Sequence, residues 1–353
     1  MLRFLARSGL AVVLASAGAI ASAQPVIYQE TFSGSSGGWT APGTPLGPEG
    51  VQSNLWYAHP NSYEAYVAPP GCSAFGGPSS NSISIGQNPA GLAGNTGANY
   101  DAGGLCGILT CPLTHRRTES PSISAAGAIQ LTLSFDAVVG GEPPNDQASV
   151  WYFDGTTWSL LSALPRSSSV GCASGGAQWQ AFSFVLPSSA DHNPAIRVGF
   201  VWQNNDDGVG TDPSVAIGNI KITGVTVPGA PTNVQAVRSG DSAQIAWNAP
   251  ADNGGPITGY TVTTQPSGLG CSTSGSPPPT SCTIGGLPRS SNETIFVIAT
   301  NAVGDGPPGS VLIAGIVVPV PGLGLFGLVA LILLILGGAA FAIGRSGSAV
   351  GRK

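Results

Sequence analysis

Runs in which apolar and polar residues take turns, each cut after a few positions by glycine or proline, recur along this 353-residue chain. Leu131, Leu133 and Phe135 alternate with polar neighbours; Ala243, Ile245 and Trp247, and later Ile295, Val297 and Ala299, recur at the same spacing of two. A period of two sends successive side chains to opposite faces of an extended backbone, which is the pattern of a half-buried strand. The chain holds 52 glycines and 30 prolines, and only 8% of its residues are charged. Its polar surface must therefore be built from hydroxyls and amides, and the many turn residues point to all-β structure.

The two ends read differently. Arg3 and Arg7 precede a mostly apolar stretch from Leu10 to Ile20, and Ala21-Ser22-Ala23 supplies small residues before Gln24. This is the pattern of a secretory signal peptide over residues 1–23, cleaved after Ala23. Near the other end, Gly322 to Ile343 carries no charge, and Arg345, Arg352 and Lys353 follow it. An apolar run of this length predicts one C-terminal transmembrane helix within residues 318–353, its basic end facing the cytoplasm. The length between the ends suits two domains.

All 17 acids lie between Glu30 and Asp305, whereas five of the 12 bases belong to the ends. The body between them is strongly acidic, which excludes nucleic acid as a partner, because phosphates need clustered Lys and Arg. The only dense basic spot is His115-Arg116-Arg117. Six cysteines in an exported chain predict disulfides. Cys271 and Cys282 flank a Gly/Ser/Pro-rich loop, Cys106 and Cys111 are near enough to close a small one, and Cys72 and Cys172 are then left to each other.

The tail motif Val318-Pro319-Val320-Pro321, the apolar run and the basic end resemble bacterial C-terminal sorting signals of the PEP-CTERM and IPTL-CTERM kind, though neither Pro-Glu-Pro nor Ile-Pro-Thr-Leu is present. The resemblance implies surface attachment through a C-terminal membrane helix and processing by an exosortase-like membrane protease. Residues 228–316, with PGAPTNVQAV, AQIAWNAP, DNGGPITGYTVTTQP and IFVIATNAVGDGPPGS, resemble a fibronectin type III domain, an immunoglobulin-like β-sandwich. Trp247 is expected between its two sheets. Where the family usually has a tyrosine that anchors a corner, Glu293 or its neighbours stand, which predicts a looser corner.

Residues 24–226 open with VIYQETF, carry the hairpin signal Asp154-Gly155 between apolar runs, and close with two strands joined by a polar turn. They resemble the jelly-roll β-sandwich modules of bacterial surface proteins, related to MAM, choice-of-anchor and carbohydrate-binding domains. Residues 40–118, rich in Gly, Asn and Pro, read as long loops. In related jelly rolls a structural calcium uses the acid of the opening motif and one on the closing strand. Glu30 matches the first, Asn219 stands at the second, and Asp136 is a further candidate. The turn Asn204 to Asp212 offers Asp206, Asp207 and Asp212, hard oxygen donors that suit calcium and that equally build turns without metal.

Trp56, Tyr57, Tyr63 and Tyr66 lie in irregular sequence, where aromatic faces either stack on a glycan or pack back onto the sandwich. For catalysis the signals are poor. Gly34-Ser35-Ser36-Gly37-Gly38 has the form of a nucleophile elbow without the helical pattern that should follow it. His59, His115 and His192 are scattered, with no metal-binding spacing. No pair of acids sits in a glycosidase motif. The expectation is a non-catalytic binding or adhesion protein without a cofactor, exported to the cell surface or outer envelope or secreted after C-terminal processing, its first module displayed on a fibronectin type III spacer. Its ligand would be a glycan or a surface protein. The rivals are a matrix or envelope component without a discrete ligand, and a glycan-active hydrolase.

Overall fold

A computed structural model describes residues 23–33, 36–40, 43–50, 52–59, 72, 82–86, 98, 100–103, 113–173, 176–210, 212–316, 329 and 332. Among the described residues eleven strands build the first sandwich: β1 (Val26–Glu30), β2 (Thr44–Pro45), β3 (Leu55–His59), β4 (Ser82–Gly86), β5 (Thr114–Glu119), β6 (Ala128–Val139), β7 (Gln147–Phe153), β8 (Trp158–Ala163), β9 (Gln180–Val185), β10 (Arg197–Asn204) and β11 (Val215–Thr226). One sheet runs β3-β4-β11-β6-β9, with β1 also pairing β11; the other runs β2-β5-β10-β7-β8. All pairings are antiparallel.

The long central pair β6 and β11 shows how sequence sets this architecture. In β6 the alternating Leu131, Leu133, Phe135, Ala137 and Val139 all face the core. In β11 the residues that enter this core are Val215 and Ile217, then Ile220 and Ile222, a change of phase. An irregularity in the pairing between Gly218 and Lys221, with Asn219 at φ 51°, absorbs the extra residue. Such a bulge lets both halves of one strand bury their branched side chains on the same face. The facing sheet contributes Val150, Tyr152, Val198, Phe200 and Trp202. Each fully buried side chain of this size stabilises the fold by roughly 1.5–3 kcal/mol.

Seven further strands form the second sandwich: β12 (Thr232–Ser239), β13 (Ser242–Asn248), β14 (Gly259–Gln265), β15 (Gly270–Ser274), β16 (Ser281–Ile284), β17 (Glu293–Thr300) and β18 (Gly309–Ile313). They make a three-stranded sheet, β12-β13-β16, and a four-stranded one, β15-β14-β17-β18. A separate core holds Ile245, Trp247, Tyr260, Val262, Ile295, Val297 and Ala299, with Trp247 edge-on to Tyr260 at 5.1 Å. The disulfide Cys271–Cys282 joins β15 to β16 and so ties the two sheets together.

Two expectations are corrected here. Residues 40–118 are not simply long loops: β3, β4 and β5 lie among them, and β4 pairs with β11 more than a hundred residues away. Among the described residues no helix is long and apolar enough to cross a membrane, a task that needs about twenty consecutive apolar residues. The expected C-terminal transmembrane helix is therefore withdrawn. The run Val318–Gly338 lies outside the described residues except for Val329 and Ile332, both helical. Residues 1–22 also lie outside them, and with them the expected signal peptide up to Ser22.

Candidate functional site

The loop end of the first sandwich gathers polar side chains that strand alternation alone would not bury. At the end of β10, Trp202 and Asn204 both point inward, and the indole Nε1 donates to Asn204 Oδ1 at 3.0 Å. Asn54, just before β3, donates through Nδ2 to the same oxygen at 3.0 Å and to the Asp101 carbonyl at 3.0 Å. Its own Oδ1 accepts the Asp101 N–H at 2.9 Å, and Thr114 Oγ1 accepts the Asn54 N–H at 2.8 Å. Both asparagines are buried, so this network fastens segment 100–103 to β5 and β10 with its polar groups satisfied.

A second layer lies beside it. Tyr100 packs edge-on against Trp202, and its hydroxyl donates to the buried Asp146 carboxylate at 2.5 Å. Asp146 also accepts the Asn205 N–H at 3.2 Å, while Asp212 accepts the Tyr100 N–H at 3.2 Å. Burial drives the Asp146 carboxyl above its ordinary range; the Tyr100 and Asn205 donors oppose the shift, and the charges of Asp207 and Glu142 add to it. Asp212 is raised in the same way, burial outweighing the single N–H from Tyr100. Gly210 is needed in this loop because a Cβ there would overlap the Tyr100 hydroxyl.

Next to this network opens a cleft of about 410 Å³. Pro48, Leu113 and Pro144 give it apolar walls, and Thr114, His115, Asn145, Gln203, Asn204 and Asn205 give it hydroxyl, imidazole and amide groups. Among the described residues no charged carboxylate, ammonium or guanidinium lines it. Gln203 Nε2 donates to the Pro144 carbonyl at 3.1 Å and so braces one wall. Asn205 turns its Nδ2 to Asp207 at 2.7 Å, whereas its buried Oδ1 has no hydrogen-bond partner among the described residues. Amides beside proline rings can take hydroxyls and C–H faces of a neutral ligand.

The residues singled out from sequence divide as follows. Trp56 is only 1% exposed, packs in the core and donates from Nε1 to the Arg116 carbonyl, so it presents no face to a glycan. Tyr57 is half-buried in β3, and burial raises its hydroxyl above the ordinary value; Tyr63 and Tyr66 lie outside the described residues. Glu30 Oε1 accepts the Phe32 N–H at 2.5 Å, and Asp136 accepts from Asn219 Nδ2 at 3.0 Å. Asp207 caps its own turn through the Val209 N–H at 2.8 Å, and Asp206 lies against Gly103. Among the described residues no group of three or more His, Cys, Asp or Glu is placed to hold a metal ion.

Among the described residues His115 is the one histidine at the cleft. His59 belongs to β3, and His192 sits in a turn at φ 56°. The basic spot of β5 is neutralised locally: Arg116 forks onto Glu49, and Arg117 pairs with Glu119 while stacking 3.9 Å from the Trp158 ring centre. Gly34 and Ser35 lie outside the described residues, and the chain turns at Gly37–Gly38 with no helix among the described residues from 39 to 59. The disulfide Cys72–Cys172 is present; Cys106 and Cys111 lie outside the described residues. Sequence reasoning missed Asn54, Tyr100, Asn145 and Asp146. The one local signal was the run of amides from Gln203 to Asn205.

The second sandwich has its own polar anchor. Glu293 is buried at the start of β17, where its carboxylate accepts the Ser267 N–H at 3.0 Å and the Ser291 hydroxyl at 2.8 Å. Burial pushes this carboxyl up, but the Ser267 and Ser291 donors and nearby Arg238 outweigh it and hold it below its ordinary value. Arg238 in turn donates to the carbonyls of Gly240, Leu287, Pro288, Ser291 and Ala314. The corner is thus anchored by a carboxylate and is not loose.

Residues 229–314 match the fibronectin type III domain family. Solved structures with segments similar to this chain include the d3–d4 region of rat CD45, at 20% identity over 28% of this chain and 54% of that one, TM-score 0.23. Others are the FN5 domain of Drosophila Lar, at 23% over 25% and 97%, TM-score 0.21, and the Clostridium perfringens spore cortex lytic enzyme SleM, at 20% over 32% and 38%, TM-score 0.24. None of the curated proteins compared matches the chain. The fibronectin type III domain gives this chain the character of an extracellular, adhesion-type or spacer protein. Its disulfides fit an exported chain.

Proposed function

We propose that the protein binds a neutral, hydroxyl-rich glycan in the cleft of its first sandwich, without catalysis, and that the fibronectin type III module serves as spacer. The observation that carries this reading is the lining of the cleft: amides, one imidazole, a hydroxyl and proline rings, with no charged side chain among the described residues. Sugar hydroxyls both donate and accept, as amides do, and the apolar walls suit the C–H faces of a pyranose ring. We read the first sandwich as a jelly-roll arrangement. Support comes from the chain's repeated crossing between sheets, with β4, β6, β9 and β11 in one and β5, β7, β8 and β10 in the other.

The test is a glycan array probed with residues 24–316, with calcium and with a chelator. Retention of neutral oligosaccharides is expected, weakened about tenfold by Gln203→Ala or Asn145→Ala, as the loss of about one hydrogen bond implies. No retention across a broad panel would overturn the proposal in favour of a structural envelope role. Release of reducing sugar from a bound polysaccharide would overturn it in favour of a hydrolase.

A further inference from the structure

We propose that the two sandwiches are locked into one rigid body, so that the spacer fixes the direction in which the cleft points and does not tether it loosely. Between the end of β11 at Thr226 and the start of β12 at Thr232 the chain has only Val227, Pro228, Gly229, Ala230 and Pro231. The polar groups of this connector are held by two turns of the second sandwich. Asn253 Nδ2 donates to the Val227 carbonyl at 2.7 Å, and the Asn253 carbonyl accepts the Thr226 N–H at 3.3 Å. Asn301 Nδ2 donates to the Thr226 carbonyl at 2.8 Å, and the Gly229 N–H donates to the Ala251 carbonyl at 2.9 Å.

These contacts are specific and partly buried. Asn301 is almost fully enclosed, and its Oδ1 accepts the N–H groups of Val303 and Gly304, so the side chain cannot turn without leaving polar groups unpaired. Asn253 sits at φ 52°, a conformation asparagine tolerates better than most residues. Val225 belongs to β11 of the first sandwich, yet Gly255 of the second lies so close that a Cβ there would fall 2.5 Å from Val225 Cγ1. A Cβ on Gly254 would fall 2.7 Å from Gln24 Cγ, and Gln24 Oε1 accepts the Thr223 hydroxyl at 3.2 Å. The second sandwich therefore touches both the first residues of the opening segment and the last strand of the first sandwich. Domains of one chain move relative to each other by default; a joint of this kind removes that freedom.

The test is a spin-label distance measurement on residues 24–316 carrying V185C and V237C, two exposed strand positions on different sandwiches. A single narrow distance peak is expected, and it should be lost in Asn301→Ala and in Gly255→Val while the near-ultraviolet spectrum of each core is kept. If Gly255→Val fails to fold, the unsubstituted joint still decides: a broad distribution there overturns the proposal. Retention of the narrow peak in both joint variants overturns it as well. Glycan retention is read separately on the same protein, so a rigid joint without ligand binding sinks only the proposed function.

Discussion

The two sandwiches bury polar side chains to opposite ends. In the second, the single buried carboxylate, Glu293, is fully supplied with donors, and the arginine beside it spends its guanidinium on backbone carbonyls at the same end of the domain. In the first, two asparagines and Asp146 are buried at the loop end, beside an open cleft walled by amides and proline rings. A spacer gains from a closed corner. A binding module needs polar groups held in place yet still able to take a partner, and rigid support beneath a cleft provides that.

The comparison breaks most easily in the cores. Trp202→Ala removes a fully buried ring that also orients Asn204, and should destabilise the first sandwich by about 3–5 kcal/mol while leaving the second in place. Urea unfolding followed by near-ultraviolet signal should show the first transition moving alone; an equal shift of both would mean that the cores are not independent. Replacing Cys271 and Cys282 by serine should lower the stability of the second sandwich by about 2–4 kcal/mol, since the bridge closes a short loop across two sheets. Calorimetry with and without a reductant checks this on the unsubstituted protein.

The pH response sharpens the contrast, because the signs differ. Glu293 is depressed on folding, so its contribution is present above the ordinary glutamate value of 4.5 and is lost as pH falls through the lower folded value. Asp146 and Asp212 are raised from 3.8, so their favourable contribution is full below that value and is lost as pH rises through the folded one. Acid should therefore weaken the second sandwich relative to the first. Glu293→Gln should flatten the acid slope of the second transition, and Asp146→Asn the opposite slope of the first, both measurable by unfolding at pH 3 to 7. The smallest effect is expected at the exposed Leu160 of β8, where Leu160→Ser should stay within about 0.5 kcal/mol.

Much of the second sandwich was readable along the chain, because β13, β14 and β17 each bury every other residue and the turns between them carry their own Gly and Pro signals. The β7–β8 hairpin was equally plain, since Asp154 caps the turn by accepting the N–H groups of Thr156 and Thr157. β4 was not. Its sequence SISIG does alternate serine with isoleucine, but the run is only five residues long within a stretch rich in Gly, Asn and Pro, and its burial at every position comes from distant partners. Trp56 looked like a loop aromatic because the strand it pairs with, β4, is a short run inside that Gly-, Asn- and Pro-rich stretch.

The sequence by itself determined the all-β class, the fibronectin type III segment and the positions of the regular hairpins, because those depend on neighbours within a few residues. Only the tertiary structure decided that Asn54, Tyr100, Asp146 and Asn205 meet, that Glu293 closes a corner, and that Asn253 and Asn301 seize the connector. Each of those outcomes joins side chains far apart along the chain, and a polar group's fate depends on which distant partner satisfies it once water is gone.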